Sequence, residues 1–268
     1  MKDILEEIVA HKRQEIEEFK KIVTPANLYN MVEQKMPEIE KFAGPASSMR
    51  KALMESKTGI ISEFKRKSPS KGWIHRDAKP AEVTIAYQNN GAAALSILTD
   101  MEYFGGDDEF IRQARAVGVT IPVLYKNFIV DEYQLFQARL CGASAVLLIA
   151  ADLKKDECKT LLHTAHELGL EVLLEMHQKR DFDYVDLEPD MYGINNRHLG
   201  TFRTDVKNSF QLVKRLPDEA CKVSESGIHD AETVRRLRKI GFNGFLMGEC
   251  FMKEADPGKA LGEFISKC

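Results

Sequence analysis

The sequence lacks the features that mark metal sites, nucleic-acid binding and nucleotide binding. Its five cysteines are scattered, with no CxxC pair and no histidines at zinc-ligand spacing, so we expect reduced thiols and find no support for a metal site. The formal net charge of -3 at pH 7 leaves no broad basic field, which argues against a nucleic-acid partner. Neither a GxGxxG nor a P-loop pattern occurs, so the common nucleotide-binding turns are excluded.

No stretch of the sequence suits export or a membrane. The N-terminal segment MKDILEEIVAHKRQEIEEFKK has acidic residues from position 3 and no apolar core of signal-peptide length. The longest purely apolar run, AVLLIAA at 145–151, is far shorter than the roughly 20 residues of a membrane-spanning helix. We therefore expect a cytoplasmic protein without membrane contact.

What the sequence does contain, from Thr58 onward, is an alternation of short β-branched apolar runs with longer amphipathic stretches. This alternation indicates repeated βα units, and the nearly continuous apolar runs are typical of parallel strands covered by helices. Eight strands are the closing number of a small barrel. We predict a (β/α)8 TIM barrel at 58–268, forming one catalytic domain, with strands at 59–64, 94–100, 121–127, 145–151, 171–177, 191–197, 222–228 and 244–250.

Residues 1–57 precede the first predicted strand and form an N-terminal helical extension in this interpretation. Apolar residues from Ile4 to Phe19 recur at helical spacing, and Thr24-Pro25 marks the start of another helix. Two roles are open for this extension. It is either a packing element that plugs one end of the barrel or a cover over the active-site mouth.

Ionisable residues follow most of the predicted strands, at the end where such barrels carry their active sites. Glu63 and Lys65 are two residues apart, so they share a face. Facing outward, they would be buried under apolar helices at a cost of several kcal/mol, so we expect them to face the barrel mouth. Lys126, Glu175 and Glu225 should join them there, which allows one group to donate a proton and another to accept it. Taken singly, each residue also fits a rim ion pair.

The loops after the last two strands are candidates for phosphate binding. They read SESGI (224–228) and MGE (247–249), and small residues allow a backbone to approach an anion closely. Two observations weaken this interpretation. Ser-Gly turns are common, and Glu249 would repel a phosphate if it pointed inward.

Six motifs, in order, resemble the indole-3-glycerol-phosphate synthase family. They span almost the whole chain, and together they are highly specific, although each alone is not. The motifs are ISEFKRKSPSKG (61–72), LTDMEYFGG (98–106), PVLYKNFIVDEYQ (122–134), LLEMH (173–177), GINNRHLGTF (193–202) and SESGI (224–228). The resemblance implies the barrel described above and a small-molecule sugar-phosphate substrate, 1-(2-carboxyphenylamino)-1-deoxyribulose 5-phosphate. This substrate is converted to indole-3-glycerol phosphate, carbon dioxide and water without a cofactor or metal.

The resemblance also implies roles for individual residues. Lys126 resembles the general acid that protonates the C2′ carbonyl, and Lys65 resembles the lysine that holds the anthranilate carboxylate. Glu175 and Glu63 resemble the carboxylates that manage the proton steps of dehydration. Further residues implied by the motifs are Asn195, which would hydrogen-bond the reacting substrate; Arg197, Glu225 and Ser226, which would line the pocket; and Ser68, Gly227, Gly248 and Glu249, which would lie near the phosphate.

Three further expectations concern the surroundings of Lys126. Burial and the neighbouring Lys65 should pull its pKa moderately below the ordinary value. Phe104 and Phe128 either pack on the aromatic ring of the substrate or serve as plain core. The family often has an aspartate where this chain has Asn127, and Gly-Gly-Ser where it has Gly105-Gly106-Asp107, which bears on the rate and the pH optimum.

Two other functions remain compatible with the sequence. Lys126 would form a Schiff base in an aldolase-type phosphate-binding barrel. A non-catalytic barrel, serving as a partner for other tryptophan-pathway enzymes, would tolerate the changes at 107 and 127. The charged residues at the strand ends favour the synthase, and contact with other pathway enzymes is possible in that case too.

Overall fold

The central feature of the computed structural model, which describes residues 4–43, 47–198 and 203–268, is a closed barrel of eight parallel strands. A short hairpin lies in the loop after the first strand, and its two strands, β2 (Lys67–Ser68) and β3 (Gly72–Trp73), have two residues each. The barrel strands are β1 (Ile60–Phe64), β4 (Ala94–Leu98), β5 (Val123–Lys126), β6 (Ala145–Ile149), β7 (Glu171–Met176), β8 (Met191–Asn195), β9 (Cys221–Glu225) and β10 (Gly244–Met247). Each of them overlaps one predicted strand, so the (β/α)8 prediction is confirmed.

Helices surround the barrel and bury its outer face. The α-helices after β1 are α4 (Pro80–Asn89), α5 (Met101–Phe104), α6 (Glu109–Ala116), α7 (Glu132–Leu140), α8 (Lys155–Glu167), α9 (Lys207–Leu212), α10 (Ala231–Lys239), α11 (Glu249–Met252) and α12 (Pro257–Ile265). A 3-10 helix at Lys179–Leu187 takes the place of an α-helix between β7 and β8. None of the helices in the described part of the chain is long and apolar enough to span a membrane.

The N-terminal helices α1 (Ile4–Ile22), α2 (Pro25–Ala43) and α3 (Met49–Glu55) reach both ends of the barrel. Ile4, Leu5 and Ile8 of α1 line a cavity at the carboxyl ends of the strands. Met49 and Leu53 of α3 instead join the apolar cluster inside the barrel. The side chain of Leu53 lies 3.0 Å from where a Cβ on Gly244, at the start of β10, would stand. One helix therefore covers the mouth and another plugs the opposite end.

A buried ion pair fixes α1 to the mouth. The Lys12 ammonium lies 2.8 Å from Oδ1 of Asp100, and their side chains are 3% and 0% exposed. Oδ2 of Asp100 accepts hydrogen bonds from the backbone N–H groups of Tyr103 and Phe104 and so caps α5. The predicted strand at 94–100 is therefore two residues too long, because β4 ends at Leu98 and Asp100 is the N-cap of α5.

Candidate active site

A cavity of about 370 Å³ opens at the carboxyl ends of the barrel strands. The structure brings every predicted site residue to its wall. These residues are Glu63, Lys65, Ser68, Phe104, Lys126, Phe128, Glu175, Asn195, Arg197, Glu225, Ser226, Gly227, Gly248 and Glu249. The last four residues of the motif at 193–202 lie outside the described residues.

The alternation of side chains along a strand explains how the charged residues meet. Glu63 lies two residues after the inward-facing Ile61, and Glu175 and Glu225 lie two after the inward-facing Leu173 and Val223. Successive side chains of a strand point to opposite faces, so all three carboxylates face the barrel axis. Helices cover the other face, which leaves the mouth as the place for charge.

Lys126 stands at the centre of this charge cluster. Its Nζ lies 2.7 Å from Oε2 of Glu225 and 3.3 Å from Oε2 of Glu175. Burial lowers the pKa of Lys126, but the carboxylates of Glu225, Glu175 and Glu63 outweigh burial and raise it. The expected downward shift is therefore wrong. The expectation took account of burial and Lys65, but not of the effect that three converging carboxylates have on the pKa. Lys126 is therefore fully charged at neutral pH.

Glu175 and Glu225 form a pair of buried carboxyl groups beside Lys126. Burial raises the pKa of Glu225, and the charge of Glu175 adds to this increase although Lys126 opposes it. For Glu175, burial is outweighed by Lys126 and His177, so its pKa is lowered. Oε2 of each carboxyl group lies within 3.3 Å of Lys126 Nζ, so the two groups are close neighbours. Two carboxylates this close favour holding one proton between them, and at neutral pH Glu175 is the ionised member.

Lys65 and Glu63 form a second ion pair on the same wall. Lys65 Nζ lies 2.5 Å from Oε1 of Glu63. Burial raises the pKa of Glu63, but Lys65 and Lys126 outweigh it, so the pKa is lowered. A Cβ on Gly248 would lie 2.7 Å from Cβ of Glu63, so the absence of a side chain there makes room for this carboxylate.

An apolar wall faces the charge cluster. The ring centroids of Phe104 and Phe128 lie 6.0 Å apart, with the rings inclined at 39°. Both side chains are half-buried and border the cavity together with Ile4, Leu5 and Ile8 of α1. This surface suits a flat aromatic ligand better than plain core packing, since part of each ring is open to the cavity.

The candidate phosphate end has an unusual backbone. Ser226 and Gly227 both adopt positive φ, 66° and 76°, a conformation that costs energy at a non-glycine residue and often marks a functional turn. Asn196 braces this turn, because its Nδ2 donates to the Ser226 carbonyl at 3.0 Å. Glu249 forms an ion pair with Lys71, and its negative charge is thereby offset.

Sequence reasoning missed three residues of the site. His177 lies two residues after Glu175 and faces the same side, so the period of the strand could have identified it. Lys71 and Asn196 gave no such signal, since each matters through a partner distant in sequence. In the described part of the chain, no group of three or more His, Cys, Asp and Glu side chains could hold a metal ion.

Comparisons with known proteins agree with this geometry. A family model described as indole-3-glycerol phosphate synthase matches residues 5–264. A protein of that name from Bacteroides thetaiotaomicron is 53% identical over 99% of this chain and 98% of its own length. Another, from Polynucleobacter necessarius, is 39% identical over 99% of this chain and all of its own length. A solved tryptophan synthase alpha-subunit from Pyrococcus furiosus, 14% identical, superposes with a TM-score of 0.61 over 79% of this chain and 98% of the other, a likeness of fold alone.

Proposed function

The chain belongs to the indole-3-glycerol phosphate synthase family, and we propose that its cavity closes the indole ring with Lys126 as the general acid. The family's enzymes are carboxy-lyases of tryptophan biosynthesis, and this chain is one of them. The observation that carries the proposal is the position of Lys126, a charged ammonium held by two buried carboxyl groups opposite an aromatic wall.

In ring closure, an aromatic carbon of the substrate attacks the C2′ carbonyl, and the carbonyl oxygen takes a proton. Lys126 is suited to supply it because its raised pKa keeps the group protonated. Lys65, 12% exposed on the same wall, would hold the anthranilate carboxylate until carbon dioxide leaves. Phe104 and Phe128 would pack on the aromatic ring.

Dehydration then removes the C2′ hydroxyl as water and needs an acceptor for a ring proton. Glu175, ionised beside Lys126, is the group we assign as acceptor. The hydroxyl would leave with a proton from the Lys65 ammonium, which the ionised Glu63 holds in position. Asn195 would hydrogen-bond the reacting part of the substrate, and the turn at Ser226 and Gly227 would hold the phosphate through backbone N–H groups.

Three broader proposals accompany this mechanism. Residues 58–268 would form the catalytic domain, and residues 1–57 its helical extension, which contributes α1 to the cavity wall. The five free thiols suit the reducing cytoplasm, where we expect the enzyme to work. Contact with other enzymes of the tryptophan pathway stays a prediction.

The test is to add the carboxyphenylamino deoxyribulose phosphate to the purified protein and follow indole fluorescence. Appearance of indole fluorescence and carbon dioxide supports the proposal, and their absence contradicts it. Borohydride treatment in the presence of a keto sugar phosphate separates the aldolase alternative, because only a Schiff base at Lys126 would be trapped covalently.

A further inference from the structure

His177 is a buried group beside the reacting carboxylates that the mechanism above does not use. Its side chain is 5% exposed, and Nε2 lies 3.2 Å from Oε1 of Glu175. The other oxygen of Glu175, Oε2, faces the ammonium of Lys126 at 3.3 Å. Glu175 therefore lies between a lysine on one oxygen and a histidine on the other.

In the described part of the chain, the ring of His177 has no polar partner besides Glu175 that would explain its presence. Neither ring nitrogen makes a well-directed hydrogen bond within the described residues. The backbone is held independently, since its N–H donates to Oδ2 of Asp181 and its carbonyl accepts from Nδ2 of Asn208. Buried polar groups without partners are destabilising, so an apolar side chain would serve packing better.

We propose that His177 is a positioning residue for ring closure, whose neutral imidazole donates from Nε2 to Oε1 of Glu175 and keeps that carboxylate aligned with the substrate. This inference rests on the role proposed above for Glu175. Catalytic hydrogen bonds are often poorly aligned before substrate binds and tighten in the complex. A small rotation of the imidazole at 3.2 Å would complete this bond.

The charges around His177 favour its neutral form. Burial lowers its pKa, Glu175 and Asp181 raise it, and Lys126 and His198 lower it, with a net decrease. At neutral pH the ring therefore carries one N–H. A neutral imidazole orients Glu175 without giving up its N–H proton to the carboxylate, so Glu175 stays available as a base.

The same Asn208 amide that donates to the His177 carbonyl donates to the Asn195 carbonyl at 3.1 Å. The ends of β7 and β8 are thus linked, and the position of His177 relative to Asn195 is fixed by backbone contacts. The ring can consequently be replaced without removing these hydrogen bonds. Substitution of His177 therefore tests the role of the ring alone.

The experiment compares His177→Leu, which keeps apolar bulk, with His177→Gln, whose side-chain amide can donate from a similar position. We expect His177→Leu to lower kcat about 10- to 100-fold with KM nearly unchanged, because a hydrogen bond to a charged group is lost. His177→Gln should recover most of kcat. Equal impairment in both variants, or kcat of His177→Leu within about twofold of the parent, would overturn the inference.

Two controls keep the outcome interpretable. Glu175→Gln should itself lose most of kcat; if it does not, the proposed role of Glu175 fails, whereas loss there with an active His177→Leu variant defeats only this inference. Nitrogen-15 NMR of the unmodified enzyme should show His177 neutral and protonated on Nε2 at pH 7. The opposite tautomer would contradict the proposal even if a variant failed to fold.

Discussion

The ammonium of Lys126 lies 2.7 Å from a carboxyl oxygen of Glu225 although their strands lie on opposite sides of the barrel. In the strand order, β6, β7 and β8 separate β5 from β9 on one side, and β10, β1 and β4 separate them on the other. The pair therefore crosses the barrel axis, and Glu175 from β7 joins it at 3.3 Å. This convergence sets the charge of the site and is the basis of the first predictions.

Replacing Lys126 by methionine should remove most of kcat and leave substrate affinity nearly intact. A general acid acts mainly in the transition state, and such groups are typically worth about 10²- to 10⁴-fold. Steady-state kinetics would measure this. Lys222→Met is the matched control, since Lys222 is a buried barrel lysine that donates to the Asp218 carbonyl outside the cavity. Equal kcat in Lys126→Met and its parent would refute the assignment.

Glu225 should control the alkaline limb of the pH profile of kcat/KM. Burial, with help from Glu175 and against Lys126, raises the pKa of Glu225 to about 8. Below that pH the group is neutral, and above it an additional negative charge opposes an anionic substrate, so kcat/KM should fall. Glu225→Gln mimics the neutral form. Glu225→Gln should keep kcat within about tenfold of the parent at pH 7 and move the alkaline limb of kcat/KM to higher pH. If the alkaline limb stays where it is, another group titrates there.

Gly193→Ala should disturb the same pair from the neighbouring strand. A Cβ at this position would collide with Oε1 of Glu225, which forces the carboxyl away from Lys126. We expect a loss of stability of about 1–3 kcal/mol, as for other overpacked sites, together with reduced kcat. A double mutant with Glu225→Ala provides the check. If the collision is the cause, the two effects are not additive, whereas simple additivity would place the strain elsewhere.

Ser226→Asp should raise KM strongly, by about tenfold or more, because a new carboxylate would face the substrate phosphate. Ser226→Asn is the matched control, since asparagine also tolerates the positive φ of 66° at this position. KM should rise only with aspartate. Gly248→Asp is a less informative variant, because its Cβ would press on Glu63 and alter catalysis as well as binding. Unchanged KM in Ser226→Asp would place the phosphate elsewhere.

Asn127→Asp should move the alkaline limb of kcat/KM upward, by less than about one pH unit since part of the effect is screened. Asn127 is buried, and its Nδ2 donates to the hydroxyl of Thr99 at 2.8 Å. A carboxylate there favours the charged form of Lys126 and the neutral form of Glu225, and both effects have the same sign. Paired pH-rate profiles, with thermal stability checked at each pH, would measure it. A limb that moves downward would contradict the prediction.

Much of the barrel could be predicted because its signals are local. The strand positions follow from apolar runs of four to six residues, and helix ends from glycines such as Gly118 and Gly142, whose φ values of 93° and 90° end a helix without strain. The inward direction of Glu63 and Glu175 follows from the two-residue period of a strand. The strand prediction was wrong at Asp100. Its ion-pair partner Lys12 lies 88 residues earlier in the chain, so no local pattern indicates that contact.

The sequence by itself determined the fold, the family and most of the side chains at the mouth, because periodicity and motif order are properties of neighbouring residues. Only the tertiary structure decided how those side chains share charge. The pKa of Lys126 rises instead of falling because carboxylates from β1, β7 and β9 outweigh its burial. Which of Glu175 and Glu225 is ionised, and whether His177 touches either, depends on distances of about 3 Å between strands far apart in sequence. Electrostatic energies vary steeply with such distances and with burial, and no local pattern encodes them.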